Sequence, residues 1–152
     1  MEKNGFELEQ ALAFNLNRTA SLMADAVSAA FSANNHRISA QDFGILYRLS
    51  MKGATAQAEI TQAMMRDKAT VTRRLDSLVK KGLIERIPDA NDRRRFRIAL
   101  TQQGEETLAA TLPLLRDLQH KVQSGLSEEE KAMTLYCLQH IGNQLLDMTN
   151  AR

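Results

Sequence analysis

The stretch DKATVTRRLDSLVKKGLIERIPDANDRRRFRIALT, from Asp67 to Thr101, decides the fold. In its first part, apolar residues share one helical face, namely Val71, Leu75, Leu78 and Val79. The opposite face carries Ala69, Thr70, Arg73 and Ser77. Asp67 is placed to cap such a helix, and Gly82 is a natural C-terminal stop. The pattern predicts a helix with one packed face and one free face.

The second part of the stretch predicts a β-hairpin. Leu83–Ile87 mixes apolar and charged residues, Pro88–Arg95 is polar and turn-forming, and Phe96–Leu100 alternates. Three consecutive cations lie near the tip of this hairpin: Arg93, Arg94 and Arg95. A helix followed by a basic hairpin is typical of a recognition helix and its wing.

The distribution of charge indicates a nucleic-acid partner. The whole chain carries only +2. Between Arg66 and Arg97, however, 11 basic residues stand against 5 acidic ones, so this segment is +6 and the remainder is −4. Such a split is expected of a DNA-binding surface on a neutral to acidic scaffold. A charged face that is merely solvated remains the alternative.

The composition is that of a globular protein, with 43% hydrophobic and 25% charged residues. No apolar run approaches the roughly 20 residues that span a bilayer, and the first ten residues lack the layout of a signal peptide. We therefore expect a cytoplasmic protein without a membrane partner. A single cysteine, Cys137, agrees with a reducing compartment.

The residues before the recognition helix predict three further helices. A long first helix is expected from Glu7 to about Ala33, and its length suggests that part of its apolar surface packs against something outside the DNA-binding core, with a second subunit as one candidate. Ser39 and Asp42 form a capping signature for a second helix over Ala40–Met51. A third, short helix is expected to begin around Thr55 and to complete a helix-turn-helix.

Two helices are predicted after the wing. Thr101 can cap the first, Pro113 should kink it, and Gly125 should end it. Ser127 and Glu130 offer a capping box for the last helix. That helix carries an apolar stripe formed by Met133, Cys137, Ile141, Leu145 and Met148. A second copy of the chain is the simplest cover for the stripe, in a two-fold dimer that matches a palindromic DNA site.

The sequence resembles the multiple antibiotic resistance regulator (MarR) family of bacterial transcription factors. The resemblance lies in TVTRRLDSLVKKGLIERIPD, in the wing NDRRRFRIALT and in the following QQGEE. The wing pattern of the family is matched by Asp92, Arg94, Leu100, Thr101 and Gly104. It implies a mainly α, α+β winged-helix fold, with a winged helix-turn-helix core and long N- and C-terminal dimerisation helices. Residues 1–152 would form one MarR-type domain, with a DNA-binding lobe at 39–104 and dimerisation helices at 1–33 and 105–152.

The resemblance also implies a function. Most family members are homodimeric repressors that leave a palindromic operator when a small, often phenolic or anionic aromatic molecule binds. The resemblance identifies no pocket residues, and it leaves activation open beside repression. Two other functions stay open, a constitutive architectural DNA-binding protein and a winged-helix module for protein contacts.

Roles follow residue by residue from the recognition helix and from the resemblance. The expected DNA-binding set is Lys68, Thr70, Thr72, Arg73, Arg74, Ser77, Arg93, Arg94 and Arg95. Arg73 is the candidate for a base edge, since arginine pairs bidentately with guanine. Arg94 matches the wing arginine that enters the minor groove, and Asp92 would orient the wing through an ion pair. Alternatively, individual arginines pair with Asp76, Asp89 or Asp92.

Other chemistry is weakly represented. The three histidines, His36, His120 and His140, form no spaced metal motif with each other or with Cys137. A site across helices stays open, but neither a metal nor a cofactor is expected. Cys137 is interpreted as a buried structural thiol of the apolar stripe. The sequence contains no catalytic motif in a credible context, so an enzyme is not expected.

Overall fold

The computed structural model describes residues 7–64, 67–92 and 94–150. A single 3-10 turn, Leu8–Gln10, precedes the first α-helix. The helices are α1 (Leu12–Ala33), α2 (Ala40–Lys52), α3 (Gln57–Met64), α4 (Lys68–Lys80), α5 (Gln102–Val122) and α6 (Glu128–Asn150). The strands are β1 (Thr55–Ala56), β2 (Ile84–Pro88) and β3 (Phe96–Leu100). The chain divides into two compact units, residues 1–118 and 119–152.

The helix boundaries around the recognition helix follow the capping signals in the sequence. Ser39 and Asp42 form a capping box at the start of α2, with each side chain accepting from the backbone N–H of the other. Asp67 accepts from the backbone N–H of Thr70 at 2.9 Å and caps α4. Gly82, with φ of +71°, follows the last turn of α4. The predicted second helix and recognition helix are confirmed.

The three strands form one antiparallel sheet in the order β1-β3-β2. The predicted hairpin is confirmed, with Ile84 opposite Leu100 and Pro88 opposite Phe96. The predicted third, short helix is confirmed as α3, but it begins at Gln57, because Thr55 belongs to β1 and pairs with Ile98. A strand of two residues is too short to show a period of its own, so only the packing against β3 reveals it.

The core of the first unit lies where α1, α2, α3 and α4 meet the sheet and the start of α5. Its fully buried side chains include Phe31, Leu46, Ile60, Leu75, Leu78 and Ile98. The apolar face predicted for the recognition helix is therefore the face that packs, since Val71 is buried as well. Burial of this face leaves the opposite face of α4 to the solvent.

The two terminal regions differ from the sequence predictions in detail. The first helix does not begin at Glu7, because Ala11 has extended backbone (φ −72°, ψ 124°) and separates the 3-10 turn from α1. The capping box of Ser127 and Glu130 is present at the start of α6. The prediction that Cys137 is buried is wrong for the single chain, in which this thiol is exposed.

Among the helices in the described residues, none is long and apolar enough to cross a membrane.

Candidate nucleic-acid interface

The outer face of α4 presents a cation at each of its first two turns. Lys68 and Arg73 are exposed, and Ala69 between them is exposed as well. Arg73 Nη2 lies 3.3 Å from the hydroxyl of Thr70, which is a weak hydrogen bond and leaves most of the guanidinium donors to the solvent. Ser77, further along, is half-buried. The N-terminal half of α4 is thus the part best exposed to a ligand.

The hydroxyl of Thr72 is occupied within the protein. It donates to the backbone carbonyl of Lys68 at 2.8 Å and accepts from Nε2 of Gln57 at 2.8 Å. Gln57 is the first residue of α3, so this contact links the two helices of the helix-turn-helix. Thr72 therefore offers mainly its methyl group to a partner. The sequence did not single out Gln57, because its contact spans 15 positions.

Arg74, expected in the DNA-binding set, is engaged by the protein itself. Its Nη1 lies 2.9 Å from Oδ1 of Asp42 and 2.8 Å from the hydroxyl of Ser39. The aspartates near the arginines in sequence, Asp76, Asp89 and Asp92, were the expected ion-pair partners, whereas Arg74 pairs with Asp42. The only signal for Asp42 was its capping position, which gives no indication of a contact 32 residues away.

Asp76 joins the recognition helix to the first wing strand. Its Oδ1 accepts from Nη2 of Arg86 at 2.6 Å. Both side chains are partly exposed, so the pair contributes modestly to stability. Because the Asp76 carboxylate pairs with Arg86 of β2, it does not neutralise the cations at the start of α4.

The turn of the wing is held by two aspartates. Asp89 accepts from the backbone N–H groups of Asn91 at 2.8 Å and Asp92 at 3.2 Å. These bonds, the bond to Asn91 above all, lower the pKa of Asp89 below its ordinary value. Asp92 in turn accepts from the backbone N–H of Arg94 at 3.0 Å. The turn is therefore ordered by hydrogen bonds from backbone N–H groups to two carboxylates.

The wing cations are displayed around this turn. Arg95 Nε lies 3.5 Å from Oδ2 of Asp92, and the Arg95 side chain is 80% exposed, so the ion pair leaves it accessible. Arg94 is exposed, with its backbone N–H bound to Asp92. Arg93 lies outside the described residues. The arrangement presents positive charge at the tip of the hairpin.

Arg97 anchors the base of the wing and was not among the expected functional residues. Its Nε donates to the backbone carbonyl of Ala54 at 3.0 Å, and its Nη1 lies 3.6 Å from Oδ2 of Asp89. One side chain therefore connects the wing turn to the segment between α2 and β1. The alternation of β3 could place Arg97 on one face of the strand, but it could not supply these partners.

The comparisons with known proteins agree with this geometry. The model of the MarR family matches residues 38–96. The HTH-type transcriptional regulator PecS of Dickeya dadantii is 33% identical over 119 residues, which cover 76% of this chain and 70% of PecS. The chain belongs to the MarR family.

The MarR family relationship extends to named repressors and to solved structures. The transcriptional repressor NicR of Pseudomonas putida is 31% identical over 96 residues, which cover 63% of this chain and 61% of NicR. A cysteine-to-serine variant of Escherichia coli MarR, solved in complex with operator DNA, is 25% identical with a TM-score of 0.78 and covers 86% of this chain and 92% of that one.

A second solved structure gives the fold over almost the whole chain. The organohalide-sensing regulator RdhR-CbdbA1625, solved in its 2,4-dichlorophenol-bound form, has a TM-score of 0.85 at 21% identity and covers 98% of this chain and 88% of its own. The resemblance seen in the wing is thus confirmed as family membership, and the chain is a DNA-binding transcriptional regulator of the MarR type.

Proposed function

We propose that the chain is a homodimeric transcriptional repressor that binds a palindromic operator and leaves it when a small phenolic or anionic aromatic molecule binds. The observation that carries this proposal is the pairing of an exposed, cationic first half of α4 with a wing whose tip is cationic. Duplex DNA offers a major groove wide enough for one helix and phosphates for the flanking cations.

Within this interface the duties are divided among few residues. Arg73 reads a base edge, because its guanidinium is exposed and keeps a bidentate pair of donors. Arg94 enters the minor groove, while Lys68 and Arg95 bind phosphates. Thr70 and Ser77 are half-buried and contribute at the edge of the contact. Arg93, as the neighbour of Arg94, belongs with the phosphate contacts.

The proposed dimer rests on apolar surface that this chain leaves uncovered. Large side chains of α1 and α6 are exposed, among them Leu12, Leu22, Met133, Leu135, Tyr136, Leu145 and Met148. Tyr136, for example, is 64% exposed. Apolar surface of this extent on a terminal helix indicates a protein interface. A two-fold dimer would also supply two copies of the wing and recognition helix for the two halves of a palindrome.

Sedimentation equilibrium tests the dimer. Leu145→Glu places a charge on the exposed stripe of α6 and should shift the chain from dimer to monomer. Gln62→Glu adds the same charge at an exposed position of α3, outside the helices of the proposed interface, and should leave the dimer intact. A wild-type chain that sediments as a monomer at micromolar concentration would contradict the proposal.

The aromatic effector is proposed from the family and from one feature of α2. Nε of Arg48 is buried and has no hydrogen-bond partner among the described residues. A buried donor of this kind calls for an acceptor, and an anionic ligand supplies one. A thermal-shift screen of phenols and aromatic carboxylates tests the proposal, because a ligand of the folded state raises the apparent Tm.

Two readouts make the ligand test specific. A compound that raises the Tm should also release the chain from its operator. Arg48→Met should reduce the Tm shift for a carboxylate more than the shift for the matching neutral phenol. A compound set that changes neither stability nor DNA binding would contradict ligand control.

Footprinting on a duplex selected by the chain from a random library separates the candidate functions. One protected palindrome supports the repressor. Uniform coverage of the duplex would instead indicate an architectural protein, and no selected duplex at all would indicate a module for protein contacts.

A further inference from the structure

Asp42 is a carboxylate buried at the start of α2, with only 5% of the residue exposed. Its Oδ2 accepts from the backbone N–H of Ser39 at 2.9 Å, and its Oδ1 lies 2.9 Å from Nη1 of Arg74. Lys81 Nζ lies 3.7 Å from Oδ2. These partners stabilise the buried carboxylate, because an unpaired buried charge is strongly unfavourable. We call this group of four residues the Asp42 junction.

The Asp42 junction holds the recognition helix at two points. Arg74 lies in the middle of α4 and also donates to the hydroxyl of Ser39 at 2.8 Å. Lys81 lies just past the end of α4, and its Nζ also donates to the backbone carbonyl of Arg37 at 2.8 Å. Seven residues of helix separate the two points by about 10 Å. Two attachments this far apart restrict both translation and rotation of α4. A single attachment would still allow the helix to rotate about that point.

Rotation of α4 matters because Arg73 and Arg74 are consecutive. Arg74 points to the protein and Arg73 to the solvent, so any turn of the helix that strains the Arg74 ion pair also displaces Arg73. A helix with its side chains has a radius of roughly 5 to 6 Å, so a rotation of about 10° moves a side-chain tip by about 1 Å. A displacement of that size is enough to break a hydrogen bond to a base edge.

We propose that Asp42 and Arg74 are positioning residues that set the rotation of the recognition helix and thereby its sequence specificity. Arg74 acts through Arg73 and makes no contact with DNA. This inference rests on the proposed function, since it requires that the chain select one DNA sequence. It departs from the expectation that Arg74 belongs to the DNA-binding set.

The test compares Asp42→Asn, Arg74→Gln and the double variant on two duplexes. One duplex is selected by the wild-type chain from a random library, and the other is its scrambled form. Each single variant should bind the selected duplex about tenfold more weakly, as expected for one misplaced base contact. Affinity for the scrambled duplex should stay within about twofold. The double variant should be no weaker than either single one, because both remove the same interaction.

The salt dependence distinguishes positioning from direct contact. If Arg74 bound a phosphate, Arg74→Gln would make the slope of log K against log [salt] shallower by about 0.9 and would weaken both duplexes alike. The positioning role predicts an unchanged slope. Glu128→Gln, which removes the exposed partner of Lys131 on α6, is the matched control and should change neither affinity.

A second comparison keeps the test decisive if Asp42→Asn does not fold. Arg74→Lys retains the charge but lacks the second donor group of the guanidinium. Its preference for the selected duplex should therefore lie between those of the wild type and Arg74→Gln. All three proteins should show the same slope of log K against log [salt]. Variants that keep the full wild-type preference would overturn this inference alone. A wild-type chain that prefers neither duplex would overturn the proposed function together with it.

Discussion

Gly104, near the start of α5, is the position where one added methyl group should cost the most. A Cβ there would overlap the backbone carbonyl oxygen of Leu83 and lie 2.9 Å from Cδ2 of Leu100. Hydrogen bonds hold the backbone on both sides of this contact, so neither the start of α5 nor the segment before β2 can shift easily to relieve the overlap. The backbone N–H of Thr101 donates to the same Leu83 carbonyl at 3.2 Å, and the Thr101 hydroxyl donates to the carbonyl of Gly82 at 2.6 Å.

The expected loss for Gly104→Ala follows from three contributions. Overpacking against a backbone atom costs about 3 kcal/mol, at the upper end of the usual range. Loss of the Thr101–Leu83 hydrogen bond adds about 1 kcal/mol. Replacing glycine by alanine in a helix returns about 1 kcal/mol. The net loss in the free energy of unfolding is thus about 3 kcal/mol, or roughly 6 to 12 °C in Tm for a chain of this size.

Thermal unfolding followed by circular dichroism measures this loss, and Gly44→Ala is the matched control. The nearest atom to a Cβ at Gly44, within α2, is Cε of Met64 at 3.8 Å, which is an ordinary contact. The control should therefore gain about 1 kcal/mol from helix propensity. A Gly104→Ala variant as stable as wild type, or a Gly44→Ala variant that loses as much, would refute the reasoning.

Three further predictions concern the interface. Arg73→Ala should lower binding to the selected duplex by about 1 to 3 kcal/mol and relax the preference at one base pair; equal weakening on every sequence in a competition assay would show a phosphate contact instead. Arg94→Ala should weaken binding mainly at sites with A·T-rich flanks, and a loss independent of the flanks would disprove shape reading. Because Asp89 has a lowered pKa when folded, its contribution to stability is complete above the ordinary value of 3.8 and is lost as the pH falls through the lower folded value. The amide resonances of Asn91 and Asp92 should titrate with a midpoint below 3.8, whereas a midpoint at or above it would contradict the hydrogen bonds of the turn.

The elements of this fold that sequence analysis could predict are those whose signals lie close together in the chain. The cap of α4 by Asp67, the capping box of α6 and the hairpin of β2 and β3 each depend on residues a few positions apart. Helical spacing likewise identified the buried face of α4. Local steric and hydrogen-bonding preferences are sufficient for features of this range.

Contacts that cross the fold could not be predicted in the same way. Arg74 belongs with Arg73 to the expected DNA-binding set, and only the position of α2 in space shows that Arg74 is bound to Asp42 while Arg73 is exposed. The hydrogen bond between Gln57 and Thr72 likewise depends on how α3 packs against α4, which the sequence alone does not show.

Burial of an apolar stripe is a further limit of sequence analysis. The spacing of residues in α6 indicates which side chains share a face, but it does not indicate what covers that face. Cys137 was therefore predicted to be buried, although the single chain leaves it exposed. The second copy proposed here as the cover is a separate molecule, and its contacts leave no periodicity in the sequence beyond the stripe itself.

Methylation interference on the selected duplex tests the central claim most directly, because one reagent reports both grooves. Dimethyl sulfate modifies N7 of guanine in the major groove and N3 of adenine in the minor groove. If α4 reads the major groove and the wing enters the minor groove, guanine methylation should interfere at two half-sites about one helical turn apart, with adenine interference at the flanks. Interference at neither groove, with binding sensitive only to phosphate modification, would contradict the assignment of α4 and the wing as a sequence reader.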